Sequence, residues 1–203
     1  MPKLYDFIVK TIIQNHIMQN TVSNFINKKV INIKSEMLFR EAEDEFYYFN
    51  NLKKAESKLK KAIELTPCHT KSITMYGNLC FIKGNFAKAV SLYLIANGLN
   101  PNDGKILASL ANCYYSLKKY ELSLKYADKA LQNMEYDNFS LFSQIIEIKI
   151  NCLSELKRYN EAYNTFIHSK NILKRTLLKE TYRYLNEKIQ LHKKLQFSGL
   201  KIV

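Results

Sequence analysis

The sequence predicts an all-α protein built as an array of helical hairpins. Three observations carry that prediction. Ala55, Ala89 and Ser123 fall at steps of 34, and Pro67 and Pro101 are also 34 apart. A fixed period of this size marks a helical repeat array. Breakers are scarce, with 5 Gly and 3 Pro in 203 residues, which argues against a multi-stranded β-fold. Apolar residues recur at helical spacing between short turn signals, the pattern of amphipathic helices.

Residues 3–33 open the chain with two apolar stripes. Leu4, Phe7, Ile8 and Ile12 form one; Met18, Val22, Phe25, Ile26, Val30 and Ile33 form the other. Gln19-Asn20-Thr21 reads as a break, with Asn20 or Thr21 as an N-cap. In the phase of the later repeats, Tyr5, Ile8, Val9, Ile12 and Phe25 would face a core. Residues 1–35 are therefore expected to form an N-terminal helical cap or degenerate repeat, since terminal repeats depart from the pattern where one face meets water.

Four hairpins follow, at about 36–70, 71–104, 105–140 and 141–173. The first places Phe39, Ala42 and Phe46 on one helix face, turns at Asn50-Asn51, and aligns Ala55, Leu59, Ala62 and Ile63 inward. Pro67 closes it because proline cannot continue the hydrogen-bond ladder. In the second, Ile73, Tyr76, Gly77 and Cys80 face inward, Gly84-Asn85 turns, and Phe86, Ala89, Tyr93 and Ala96 follow. Gly77 and Ala89 are small where two helices cross closely. The third uses Leu107, Leu110, Ala111 and Tyr114, then Tyr120, Ser123, Ala127, Ala130 and Leu131. Tyr120 and Tyr159 are 39 apart, so about five residues are inserted; they are expected to loop outward between Asn133 and Ser140. The fourth hairpin sets Ile146, Ile150 and Leu153 against Tyr159, Ala162, Phe166 and Ser169. Residues 174–197 read as a basic capping helix with Leu178, Tyr182, Leu185 and Ile189 as its seam, and 198–203 as a loose tail.

The net charge of +13 is concentrated at the ends. Residues 1–35 carry five Lys against Asp6, and residues 170–203 carry nine Lys or Arg against Glu180 and Glu187. The repeat body between them is close to neutral. Basic ends attract nucleic acid or an anionic surface, and they are equally what solvated lysine-rich helices look like. Cys68, Cys80, Cys113 and Cys152 show no CxxC spacing, so a reduced, cytoplasmic protein is expected. The N-terminal apolar run is interrupted by Asp6, Lys10 and His16, unlike a secretory signal, and no membrane insertion is expected. No phosphate loop, dinucleotide fingerprint, zinc-protease motif or nucleophile elbow occurs, and His16, His69, His168 and His192 are scattered. No catalytic residue, metal or cofactor is called for.

The second unit gives Ile73-x2-Tyr76-Gly77-x2-Cys80, then Ala89-x3-Tyr93, then Pro101. The third gives Leu107-x2-Leu110-Ala111-x2-Tyr114, then Ser123-x3-Ala127. These residues resemble the tetratricopeptide repeat family. Glu43 and Ile150 depart from it where a small residue is usual. The resemblance implies a right-handed superhelix whose first helices line a concave groove for an extended peptide or a partner helix. It implies an adaptor, scaffold or co-chaperone rather than an enzyme.

Asn78, Asn112 and Asn151 hold equivalent places on three first helices, with Asp44 in that place on the first unit. A carboxamide carries donor and acceptor, so such a row can hold a peptide main chain without reading side chains. This is similar to the asparagine ladder of peptide-binding arrays in the family. Flanking groove positions are Arg40, Tyr47, Tyr48, Lys71, Thr74, Phe81, Lys105, Ala108, Tyr115 and Glu147. Tyr48, Phe81 and Tyr115 either anchor apolar partner side chains or pack on neighbouring helices. Asp44 would repel a terminal carboxylate, which argues against the family's chaperone-tail clamp. The alternative class is a protein that binds a phosphate backbone through its basic ends, above all Lys179, Arg183, Lys188, Lys193 and Lys194. The 34-residue step and the near-neutral body argue against base readout.

Overall fold

The computed structural model describes residues 2–134, 139–169, 183, 184, 187, 189 and 190. They contain eight successive helices and no strand: α1 (Pro2–Tyr47), α2 (Leu52–Leu65), α3 (Thr70–Ile82), α4 (Phe86–Leu99), α5 (Gly104–Ser116), α6 (Tyr120–Asn133), α7 (Phe139–Glu155) and α8 (Tyr159–Ser169). Arg183, Tyr184, Glu187, Ile189 and Gln190 are also helical, and Ile189 is buried. The rest of the expected capping helix, and the tail, lie outside the described residues. The chain divides into two compact units, Met1–Ser72 and Ile73–Val203.

In the first unit α1 runs unbroken for 46 residues, about 70 Å at 1.5 Å per residue. The break expected at Gln19–Thr21 does not occur. Thr21 caps nothing: its hydroxyl donates to the Met18 carbonyl at 2.8 Å, within the helix. No Gly or Pro stands between Pro2 and Pro67 to force an end. The expected core residue Phe25 is consequently exposed. The last turns of α1 pack on α2, through buried Ser35, Phe39 and Ala42 against Ala55, Leu59 and Ala62. Ser35 Oγ lies 2.7 Å from Thr66 Oγ1 and donates to the Ile31 carbonyl.

In the second unit α5 packs on α4, α6 and α7, and α7 on α6 and α8. The core falls in rows that repeat with the hairpins. Ile73, Leu107 and Ile146 form one; Leu79, Cys113 and Cys152 form another; all six are buried. Ser123 donates to the Ala111 carbonyl at 2.7 Å, so its small polar group is satisfied where α6 crosses α5. Asp103 caps α5 by accepting from the backbone of Lys105 and Ile106.

The turns carry the period in the backbone itself. Asn50, Gly84, Lys118 and Lys157 are all left-handed, with φ of 49°, 75°, 58° and 60°. After the last three, the next amide reaches back to a helix carbonyl: Asn85 to Cys80, Lys119 to Tyr114, Arg158 to Leu153. That closure satisfies carbonyls the helix end would otherwise leave bare. Lysine in this region costs about 1 kcal/mol relative to glycine. Lys118→Gly is therefore expected to stabilise the protein by about 1 kcal/mol, read as a higher urea midpoint at unchanged slope.

The inserted residues do not simply loop out. Helix α7 has 17 residues where α3 and α5 have 13. Four of the five therefore lengthen α7 at its N-terminus. Leu141 and Phe142, within that extension, are half-buried against the core. Burying these two side chains favours helix over loop.

Candidate functional site

The first unit gathers its charges around Glu36. Lys71 Nζ donates to Oε1 at 3.1 Å, His69 Nε2 lies 3.1 Å from Oε2, and Arg40 Nε is 3.7 Å from Oε1. His69 Nδ1 meets Ser72 Oγ at 2.7 Å, and the ring stands edge-on to Phe39 at 5.8 Å. Lys71 also lies 5.8 Å from the Phe39 ring centroid, a cation–π contact. Arg40 and Lys71, expected to face a partner, are thus exposed side chains already drawn toward Glu36. Asp44 is exposed, and Tyr48, beside exposed Tyr47 and Phe49, is 81% accessible.

The Lys71 hydrogen bond, seconded by His69 and opposed by desolvation, holds the Glu36 carboxyl below its ordinary range. A carboxyl depressed by folding stabilises above its unfolded value, and that contribution is lost as the pH falls through the folded value. Glu36→Gln is therefore expected to lower the melting temperature at pH 7, with the gap closing as the pH falls through the lowered folded value of Glu36.

In the second unit Asn78, Asn112 and Asn151 stand on α3, α5 and α7 in different states. Tyr93 of α4 donates its hydroxyl to Asn78 Oδ1 at 2.6 Å. Burial holds the Tyr93 phenol far above its ordinary range, so it remains a donor. Asn78 is thus half-committed: its oxygen is taken and its amide NH2 is turned away from Tyr93. Asn112 is half-buried and Asn151 exposed, and neither carboxamide has a hydrogen-bond partner among the described residues.

The aromatic candidates pack on their own hairpins. Phe81 stands edge-on to Phe86 at 5.2 Å, and Tyr115 meets Tyr120 at 5.8 Å. Both are half-buried, as are Thr74 and Glu147, while Lys105 is exposed. Ala108, expected at the groove, is instead buried in the cluster of Leu107, Ala111, Ala127, Ala130 and Ile145. A methyl group between stacking hairpins gains more from apolar neighbours than from water.

Arg183 is exposed; Lys179, Lys188, Lys193 and Lys194 lie outside the described residues. Sequence reasoning missed Tyr93 as the residue that orients Asn78. The step of 15 residues between them, across one hairpin, was the available signal. All four cysteines are free thiols, and burial pushes Cys113 up to about 12, which makes it unreactive. Among the described residues no His, Cys, Asp or Glu cluster is placed to hold a metal, and no helix is long and apolar enough to cross a membrane.

No protein-family model matches the chain. Solved structures do. YrrB, described as a TPR protein with an unusual peptide-binding site, matches at 16% identity and a TM-score of 0.64, covering 81% of this chain and 77% of its own. The first TPR of Spaghetti (RPAP3), bound to the HSP90 peptide SRMEEVD, matches at 21% identity and a TM-score of 0.53, over 58% of this chain and 91% of its own. The Sgt2 TPR domain from Aspergillus fumigatus matches at 14% identity and a TM-score of 0.54, over 63% and 82%. The chain therefore has the tetratricopeptide-repeat fold.

Proposed function

Proceeding from a tetratricopeptide fold, we propose that this protein is a non-catalytic interaction module. Helices α3, α5 and α7 hold an extended segment or a helix of a partner protein, as an adaptor, scaffold or co-chaperone would. The observation that carries this is the row Asn78, Asn112 and Asn151, which recurs with the hairpins. Two of its carboxamides have no partner among the described residues, and the third is oriented by Tyr93. Donors and acceptors so spaced suit a peptide main chain, with Phe81 and Tyr115 as apolar neighbours. A similar fold bound to an HSP90 peptide is in keeping with that use. The free cysteines suit the reducing cytoplasm.

Selection of peptides from a displayed random library, with the full chain as bait, tests the reading. Asn112→Ala/Asn151→Ala is the informative variant, because Asn78→Ala would also remove the acceptor of the buried Tyr93 hydroxyl. Losing two main-chain hydrogen bonds is expected to weaken selected peptides about tenfold or more, at an unchanged melting temperature. Undiminished affinity would overturn the proposal.

A further inference from the structure

Helix α1 presents an apolar stripe that no described residue covers. Ile26, Val30, Ile33 and Met37 are 52%, 55%, 52% and 57% exposed. Their spacing of four, three and four is that of a coiled-coil seam. At about 100° per residue the four lie within an arc of about 60°. That arc is opposite Ser35, Phe39 and Ala42, the face that packs on α2. Lys29 and Lys34 flank it, about 40° beyond either edge. Both are exposed and have no ion-pair partner among the described residues.

We infer that this face docks an acidic amphipathic helix of a partner protein. Its apolar residues would fill the seam, and its Glu or Asp side chains would meet Lys29 and Lys34. Charge decides between occupants. A second copy in parallel would set Lys29 against Lys34 of its counterpart, a like-charge pair at the positions that choose coiled-coil partners. An antiparallel copy would offer Glu36, but that carboxylate is already held by Lys71 and His69. A lipid surface calls for a broad, continuous apolar face; exposed Met18 and Phe25 widen this one only beyond Lys29, which breaks it there.

The probe is a synthetic peptide of about three heptads, with Leu at a and d and Glu at e and g. Its twin carries Lys at e and g. The Glu peptide repels itself near neutral pH, so helicity gained on mixing with the full chain reports pairing. The Glu peptide is expected to bind at least tenfold more tightly than its twin. Ile26→Ser/Ile33→Ser should abolish that binding at a wild-type melting temperature, because both side chains are exposed. Lys29→Glu/Lys34→Glu should reverse the preference, and Asn112→Ala/Asn151→Ala should leave it unchanged, which separates this site from the groove. Equal affinity for both peptides, or binding indifferent to Ile26→Ser/Ile33→Ser, would overturn the inference. So would a dimer that this variant dissolves, or capture of phosphatidylserine vesicles in place of the Glu peptide.

Discussion

Replacing Leu110 with alanine is expected to lower stability by about 3 kcal/mol, read as a fall in the urea midpoint at unchanged slope. Leu110 is fully buried on α5, the helix that packs on α4, α6 and α7. Three carbons, one CH and two methyls, would leave a fully buried site, enclosed by core walls. Such walls collapse poorly, so the cavity term adds to the transfer term. The equivalent place on α1 is Ala42, fully buried at the shorter length. The hairpin thus accepts a small residue where its neighbours are fitted to one, and Leu110→Ala lacks that fit. A loss below about 1 kcal/mol would mean that the surrounding helices can close the gap.

Gly77→Val should cost about as much, for the opposite reason. A Cβ at Gly77 would stand 2.6 Å from Tyr93 Cε1 and 3.0 Å from Cδ1. The ring cannot swing away cheaply, being buried and tied by its hydroxyl to Asn78. Overpacking of this kind costs about 1–3 kcal/mol, and β-branching in a helix adds a little. The third hairpin shows the way out, with Ala111 and Ala127 both small and both buried at the corresponding places. In a Tyr93→Ala background the cost of Gly77→Val should therefore shrink by at least half. Additive losses would place the clash elsewhere.

Much of the architecture was readable because one number, thirty-four, governs both side chains and turns. Gly77 and Ala89 announced a helix crossing by size. Asn50-Asn51 and Gly84-Asn85 announced two turns by residue type. Lys118 and Lys157 announced nothing: the backbone turns there because the repeat demands it, at a local cost the residue does not advertise. The long α1 was hidden by its own polar residues, since Gln19-Asn20-Thr21 looks like a cap to any local rule. Of the candidate groove, the asparagine phase was legible from spacing. The capture of Asn78 by Tyr93, and of Lys71 by Glu36, was not, because both depend on the angle at which two helices meet.

The lengthened α7 limits how this kind of chain can grow. Four added residues rotate a helix by about 400°, so the inward face returns to within about 40° of its former heading. Two added residues would swing it by about 200° and hand Ile145, Ile146 and Ile150 to water. Insertions here should be accommodated when they arrive in whole helical turns and rejected when they arrive as halves, whatever their composition.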